Sequence, residues 1–96
     1  KFEKFVFDAL PLTEKNIVLE TRREEEFAPI KNPSGVDSVE SARGLMDALA
    51  RSWLRERGIA VPASVRTIEI SPLLALEPGD LPASTSVPDK ELVYLE

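Results

Sequence analysis

The chain has 96 residues, a formal net charge of -5, 43% hydrophobic and 30% charged residues, and neither cysteine nor histidine. That length holds one small domain with a thin core, and the composition is globular rather than disordered. Disulfides, thiol nucleophiles, ordinary zinc sites and imidazole acid–base chemistry are excluded together, and the acidic balance repels phosphate backbones, which sets nucleic acid aside as a partner.

The first ten residues, Lys1 to Leu10, carry charges among their apolar positions and so are not a signal peptide. Phe2, Phe5, Val6, Ala9 and Leu10 follow helical spacing, which predicts a short helix ended by Pro11. After a polar turn at Thr13 to Asn16, the continuous run Ile17-Val18-Leu19 predicts a strand buried on both faces, as in a parallel sheet with helices above and below. The charged run Arg22 to Glu26 follows it. Phe27 to Pro33 reads as a loop bracketed by Pro29 and Pro33, continued by the turn chemistry of Ser34-Gly35.

The clearest element is a helix from about Ser38 to Arg57. Asp37 or Ser38 can cap its amino end, and Glu40 lies three residues after Asp37. Val39, Ala42, Leu45, Met46, Leu49, Ala50, Trp53 and Leu54 form one stripe, so Met46 and Trp53 are expected in the core. Gly58 stands where a helix stops. Val65 to Ile70 alternates as a strand, Glu77 to Asp89 reads as irregular loop, and Glu91 to Leu95 predicts a last edge strand. No apolar run approaches the ~20 residues of a membrane-spanning helix, so the expectation is a cytoplasmic protein with no membrane partner.

Physics gives one residue a sharper role. Lys31 lies between two prolines that restrict its backbone. Following a buried strand, it would stand at the carboxyl edge of a sheet, where open α/β folds bind ligands, and an ammonium there suits a phosphate. Glu24, Glu25 and Glu26 lack the alternating spacing and turn glycine of a cation loop and are not expected to be metal ligands. There is no Gly-rich phosphate cradle, so the main loop of any nucleotide site is expected outside this stretch.

Four strings, taken in order, resemble one family. Phe2-Glu3-Lys4-Phe5-Val6-Phe7-Asp8, Arg23-Glu24-Glu25-Glu26-Phe27-Ala28-Pro29-Ile30-Lys31-Asn32, Ser41-Ala42-Arg43-Gly44-Leu45-Met46 and Ile70-Ser71-Pro72-Leu73 resemble motifs of the eukaryotic-type UDP-N-acetylglucosamine pyrophosphorylases and related UDP-sugar pyrophosphorylases. The resemblance covers about Lys1 to Leu74. It implies a uridylyltransferase that joins UTP and a sugar 1-phosphate, N-acetylglucosamine 1-phosphate first, into a UDP-sugar and pyrophosphate, with Mg²⁺ held by ligands outside this chain.

It also implies an α+β fragment. Residues 1–62 would end a Rossmann-like α/β nucleotidyltransferase domain, and residues 63–96 would begin a small β-rich carboxy-terminal domain. The amino-terminal catalytic region would be missing, and the fragment would be inactive alone. The opening on Lys1 rather than methionine agrees with a trimmed piece. By the resemblance, Lys31 contacts substrate phosphate and Lys1 contacts the phosphates of UTP; Arg23 and Glu26 match family positions too and are read here as shaping the loop through a mutual ion pair, with Asn32 bracing Lys31. The segment between Asn32 and the long helix is shorter than in the eukaryotic members. The rival reading is a stand-alone acidic interaction module in which both lysines are ordinary surface residues.

Overall fold

The computed structural model describes residues 5–96. Lys1, and with it the expected UTP contact, lies outside the described residues. A 3₁₀ helix covers Val6–Leu12, α1 covers Arg23–Glu26, α2 covers Val39–Glu56, β1 covers Thr67–Ile70, a 3₁₀ turn covers Pro78–Asp80 and β2 covers Leu92–Leu95. The two strands pair in parallel, with Thr67 opposite Leu92 and Ile70 opposite Leu95. This is a small α+β arrangement with the irregular segment Ser71 to Glu91 as its crossover.

The 18-residue helix α2 organises the rest. Its cap is Ser38, not Asp37. The Ser38 hydroxyl accepts the Ser41 N–H at 3.2 Å, and the Ser41 hydroxyl accepts the Ser38 N–H at 2.9 Å. Each serine thus satisfies a donor that the first turn would leave orphaned. Ser38 is fully buried, and its hydroxyl also donates to the Gly35 carbonyl at 2.7 Å. At the other end Gly58 takes φ +71°, the left-handed conformation that costs a side-chain-bearing residue most. Its N–H donates to Arg55 O and the Ile59 N–H to Leu54 O, closing the helix in a Schellman motif.

The core gathers Ala50 and Leu54 of α2, Val65, Ile68 of β1, Ala75, Leu81, and Val93 and Leu95 of β2, with Trp53, Ile59 and Ile70 partly buried against them. Strand alternation explains the choice: Ile68, Val93 and Leu95 face α2, while Thr67, Glu69, Leu92 and Tyr94 face out. The helix stripe is therefore split. Its carboxy-terminal half is in the core, whereas Val39, Leu45 and Met46 are exposed, Met46 by 54%. The expectation of Met46 as a core residue is not met, because the strands are only four residues long and run out beneath the second half of the helix.

A polar latch fixes helix to strand. One Asp47 oxygen accepts the Ile68 N–H at 2.8 Å and the other accepts Arg51 Nε at 2.6 Å. The Arg51 guanidinium in turn donates to the Val65 and Arg66 carbonyls, both at 3.1 Å. Since Arg51 meets residues 65 and 66 and Asp47 meets residue 68, α2 runs antiparallel to β1, with its amino end towards the strand's carboxyl end. Asp47 also occupies the place where a third strand would bond to β1, so that edge is partly closed.

The amino-terminal third departs from expectation. Val6–Leu12 is 3₁₀ rather than the expected α-helix, and Pro11 lies inside it instead of ending it. Ile17, Val18 and Leu19 belong to no strand and are more than 80% exposed, so the predicted buried strand is absent. A strand needs partners for its backbone groups and cover for its side chains, and the two-stranded sheet is occupied elsewhere. The radius of gyration, 17.8 Å, exceeds the roughly 12–13 Å of a compact chain of this length, which matches an arm lying off the core.

Two mutations check this packing in the chain itself. Leu54→Ala should cost about 2–5 kcal/mol of stability, whereas Leu19→Ser should stay within about 0.5 kcal/mol. Equal thermal midpoints for the two variants would contradict the core described. Asp47→Ala should cost about 1–3 kcal/mol, because it leaves the half-buried Arg51 and the Ile68 N–H without their shared acceptor, and Asp47→Asn should lie between it and the parent in a denaturant titration.

Candidate functional site

The site singled out by the sequence is the loop between α1 and α2. The four residues of α1 interrupt what the sequence presented as a charge run. Arg23 does not pair with Glu26. Its guanidinium lies over the Phe27 ring at 4.3 Å from the centroid, a cation–π contact, and the ion pair is Arg22 with Glu25 at 3.6 Å, exposed on both sides and so of little energetic weight.

Lys31 follows this helix and not a strand, which corrects the expectation that it ends a sheet strand. The reason is the one already given for Ile17 to Leu19: that segment has no partner to pair with here. The loop instead gains its shape from the backbone. The carbonyl of Asp37 accepts the N–H of Lys31 at 2.6 Å and that of Asn32 at 2.9 Å. The Asn32 side-chain amide donates to the Val36 carbonyl at 2.7 Å. Asp37 itself has φ +55°, and Gly35 has φ +76°. Residues 31 to 38 thus form a closed bend, with Lys31 and Asn32 bonded to its far side and Ser38 buried as the helix cap. The Asn32 amide thus bonds Val36 rather than Lys31, and holds the return of the bend.

The Lys31 residue is exposed. Its bend stands at the amino end of α2 and hence on the side of β1's carboxyl end, but no sheet edge adjoins it. A cleft of about 500 Å³ lies elsewhere, between α2 and the strand pair, lined by Arg43, Asp47, Arg66, Thr67 and Glu69 among others. Lys31 is not among its lining residues. Its charges largely offset one another, with Asp47 bound to Arg51 and Arg66 to Glu91.

Among the described residues no group of three or more acidic, histidine or cysteine side chains converges to hold a metal ion. Among the same residues, no helix is long and apolar enough to cross a membrane.

Sequence reasoning singles out Lys31 and Asn32 but not the left-handed turn at Asp37 that shapes their loop. The signal was present: Asp is among the few residues with a side chain that enter the left-handed region readily. It sits in a Gly-Val-Asp-Ser stretch just ahead of a cap, where the same residue type also suits the cap position itself.

No family model matches the chain, and no solved structure matches it. Curated proteins do. UDP-N-acetylglucosamine diphosphorylases 1 and 2 of Arabidopsis thaliana are each 38% identical to it over 89 residues, 86% of this chain. A human UDP-N-acetylhexosamine pyrophosphorylase-like protein is 40% identical over 60 residues, 60% of this chain and 12% of its own length. The chain spans only 18% of the length of the Arabidopsis relatives. The four strings and these relatives point the same way: over most of its length this chain is homologous to one stretch of the UDP-N-acetylglucosamine pyrophosphorylase family.

Proposed function

We propose that the chain is the carboxy-terminal part of a uridylyltransferase that makes UDP-N-acetylglucosamine or a close UDP-sugar. The observation that carries this is 38% identity across 86% of the chain to proteins of that name. In the reaction, an anionic oxygen of the sugar 1-phosphate attacks the α-phosphorus of UTP. The bond from that phosphorus to the bridging oxygen breaks, and pyrophosphate leaves with the electron pair. Nucleotidyl transfer of this kind needs positioning and neutralisation of charge more than covalent help. An attacking group that is already an anion needs no imidazole base, which suits a chain without histidine.

Lys31 supplies charge to substrate phosphate in this reading, and Lys1 does the same for UTP. Three features support Lys31: it is exposed, its backbone is fixed by the bond to Asp37, and its loop sits at the end of α2 that points towards the strand's carboxyl end. Residues 1–62 would close a Rossmann-like catalytic domain, with the arm from Phe5 to Leu19 packed inside it, and residues 63–96 would open the carboxy-terminal domain. The exposed Phe5, Phe7, Ile17, Val18 and Leu19 favour that placement over a self-contained interaction module, which would leave them wetted. Uracil, ribose and magnesium would be held by the remainder of the enzyme, in a cytoplasmic setting that suits a cysteine-free chain.

Lys31→Ala in the full-length enzyme should lower turnover with UTP and N-acetylglucosamine 1-phosphate by ~10²-fold, the scale of losing one electrostatic contact to a transition state. Wild-type turnover in that variant would reject the assignment. The 96-residue chain alone should form no UDP-sugar in a pyrophosphate-release assay; measurable formation would reject its reading as an incomplete part.

A further inference from the structure

We propose that Asp37 and Asn32 are positioning residues for Lys31, forming a backbone clasp that aims its ammonium at substrate phosphate; the inference rests on the phosphate-binding reading of Lys31 given above. Lys31 is a flexible four-carbon side chain, so its reach is disciplined only by its own backbone. That backbone is held by one carbonyl. Asp37 O receives both the Lys31 N–H at 2.6 Å and the Asn32 N–H at 2.9 Å, and can do so because Asp37 turns left-handed at φ +55° and swings its carbonyl back across the bend. The Asn32 amide then donates to Val36 O at 2.7 Å and ties the residue before Asp37 to the residue after Lys31. The next residue along is the fully buried Ser38, whose hydroxyl holds Gly35 O. The bend is thereby referenced to α2, and α2 to β1.

The Asp37 carboxylate makes no hydrogen bond or ion pair among the described residues. The part of Asp37 that matters is its φ, which orders the substitutions. Asn enters the left-handed region as readily as Asp, and glycine enters it without penalty. A β-branched residue does so only under strain.

The test uses the full-length enzyme, UTP and N-acetylglucosamine 1-phosphate. Asp37→Asn and Asp37→Gly should keep kcat within about threefold of the parent. Asp37→Val should lower it by ~10–10²-fold, the scale of misplacing a contact by about 1 Å, and Asn32→Ala by ~10-fold on the same reasoning. Asn32→Ala alters only an exposed loop bond, so its thermal midpoint should match the parent, which separates positioning from failure to fold. In a Lys31→Ala background both Asn32→Ala and Asp37→Val should add less than about twofold, because they act through Lys31. Full additivity there overturns the clasp, as does an Asp37→Gly as impaired as Asp37→Val. A silent Lys31→Ala removes the phosphate-binding reading and the clasp together. An impaired Lys31→Ala beside silent Asn32→Ala and Asp37→Val leaves that reading standing and overturns the clasp alone.

Discussion

The Asp47 carboxylate takes one hydrogen from the Ile68 backbone and another from Arg51, and the register of α2 on β1 follows from that shared acceptor. Hydrophobic contact alone would let α2 slide or rotate over four-residue strands, since area burial is non-directional. The carboxylate fixes both register and direction, and the Arg51 contacts to the Val65 and Arg66 carbonyls extend the fit to the start of β1. Beneath it Leu54 and Ile68 are shut from solvent. A polar group half-buried at a helix–strand junction is costly unless fully partnered, and here both oxygens are used. No buried side-chain nitrogen or oxygen among the described residues lacks a partner.

With α2 anchored at its carboxy-terminal half, its amino end becomes a lever that carries the Lys31 bend outward. The exposed Val39, Leu45 and Met46 are the price of that reach: the stripe continues past the point where the strands can cover it. The same holds for the arm from Phe5 to Leu19, whose apolar residues are spaced for burial and find none within this chain. Both features are those of a segment whose pattern was set by a larger body, in keeping with the 18% of the relatives' length that it spans.

The helix from Ser38 to Arg57 and the strands near residues 65–70 and 91–95 were legible in the sequence, because each carries its own local signals: serine cap, continuous stripe, terminal glycine, alternation of two. The strand that the sequence predicts at Ile17 to Leu19 does not form, for the apolar run states a demand for burial without saying what meets it. The four-residue α1 was hidden in a charge run that has no apolar period at all. For the site, Lys31 stood out by its flanking prolines and Asn32 only through the family resemblance, whereas the left-handed turn at Asp37 did not stand out. A residue's φ is decided by where the chain must go next, and here the destination is the buried hydroxyl of Ser38.

Two different devices therefore hold the Lys31 bend. The prolines act on the unfolded chain by removing conformations it would otherwise sample. The Asp37 carbonyl acts on the folded one by accepting two neighbouring N–H groups at once. A lysine meant to roam over solvent needs neither. On the reading proposed above, their coincidence at one position, next to a helix whose cap is sealed and whose middle is latched to a strand, is what a fixed cationic contact requires. A charge stabilises a transition state most when it does not have to be ordered at the moment of reaction.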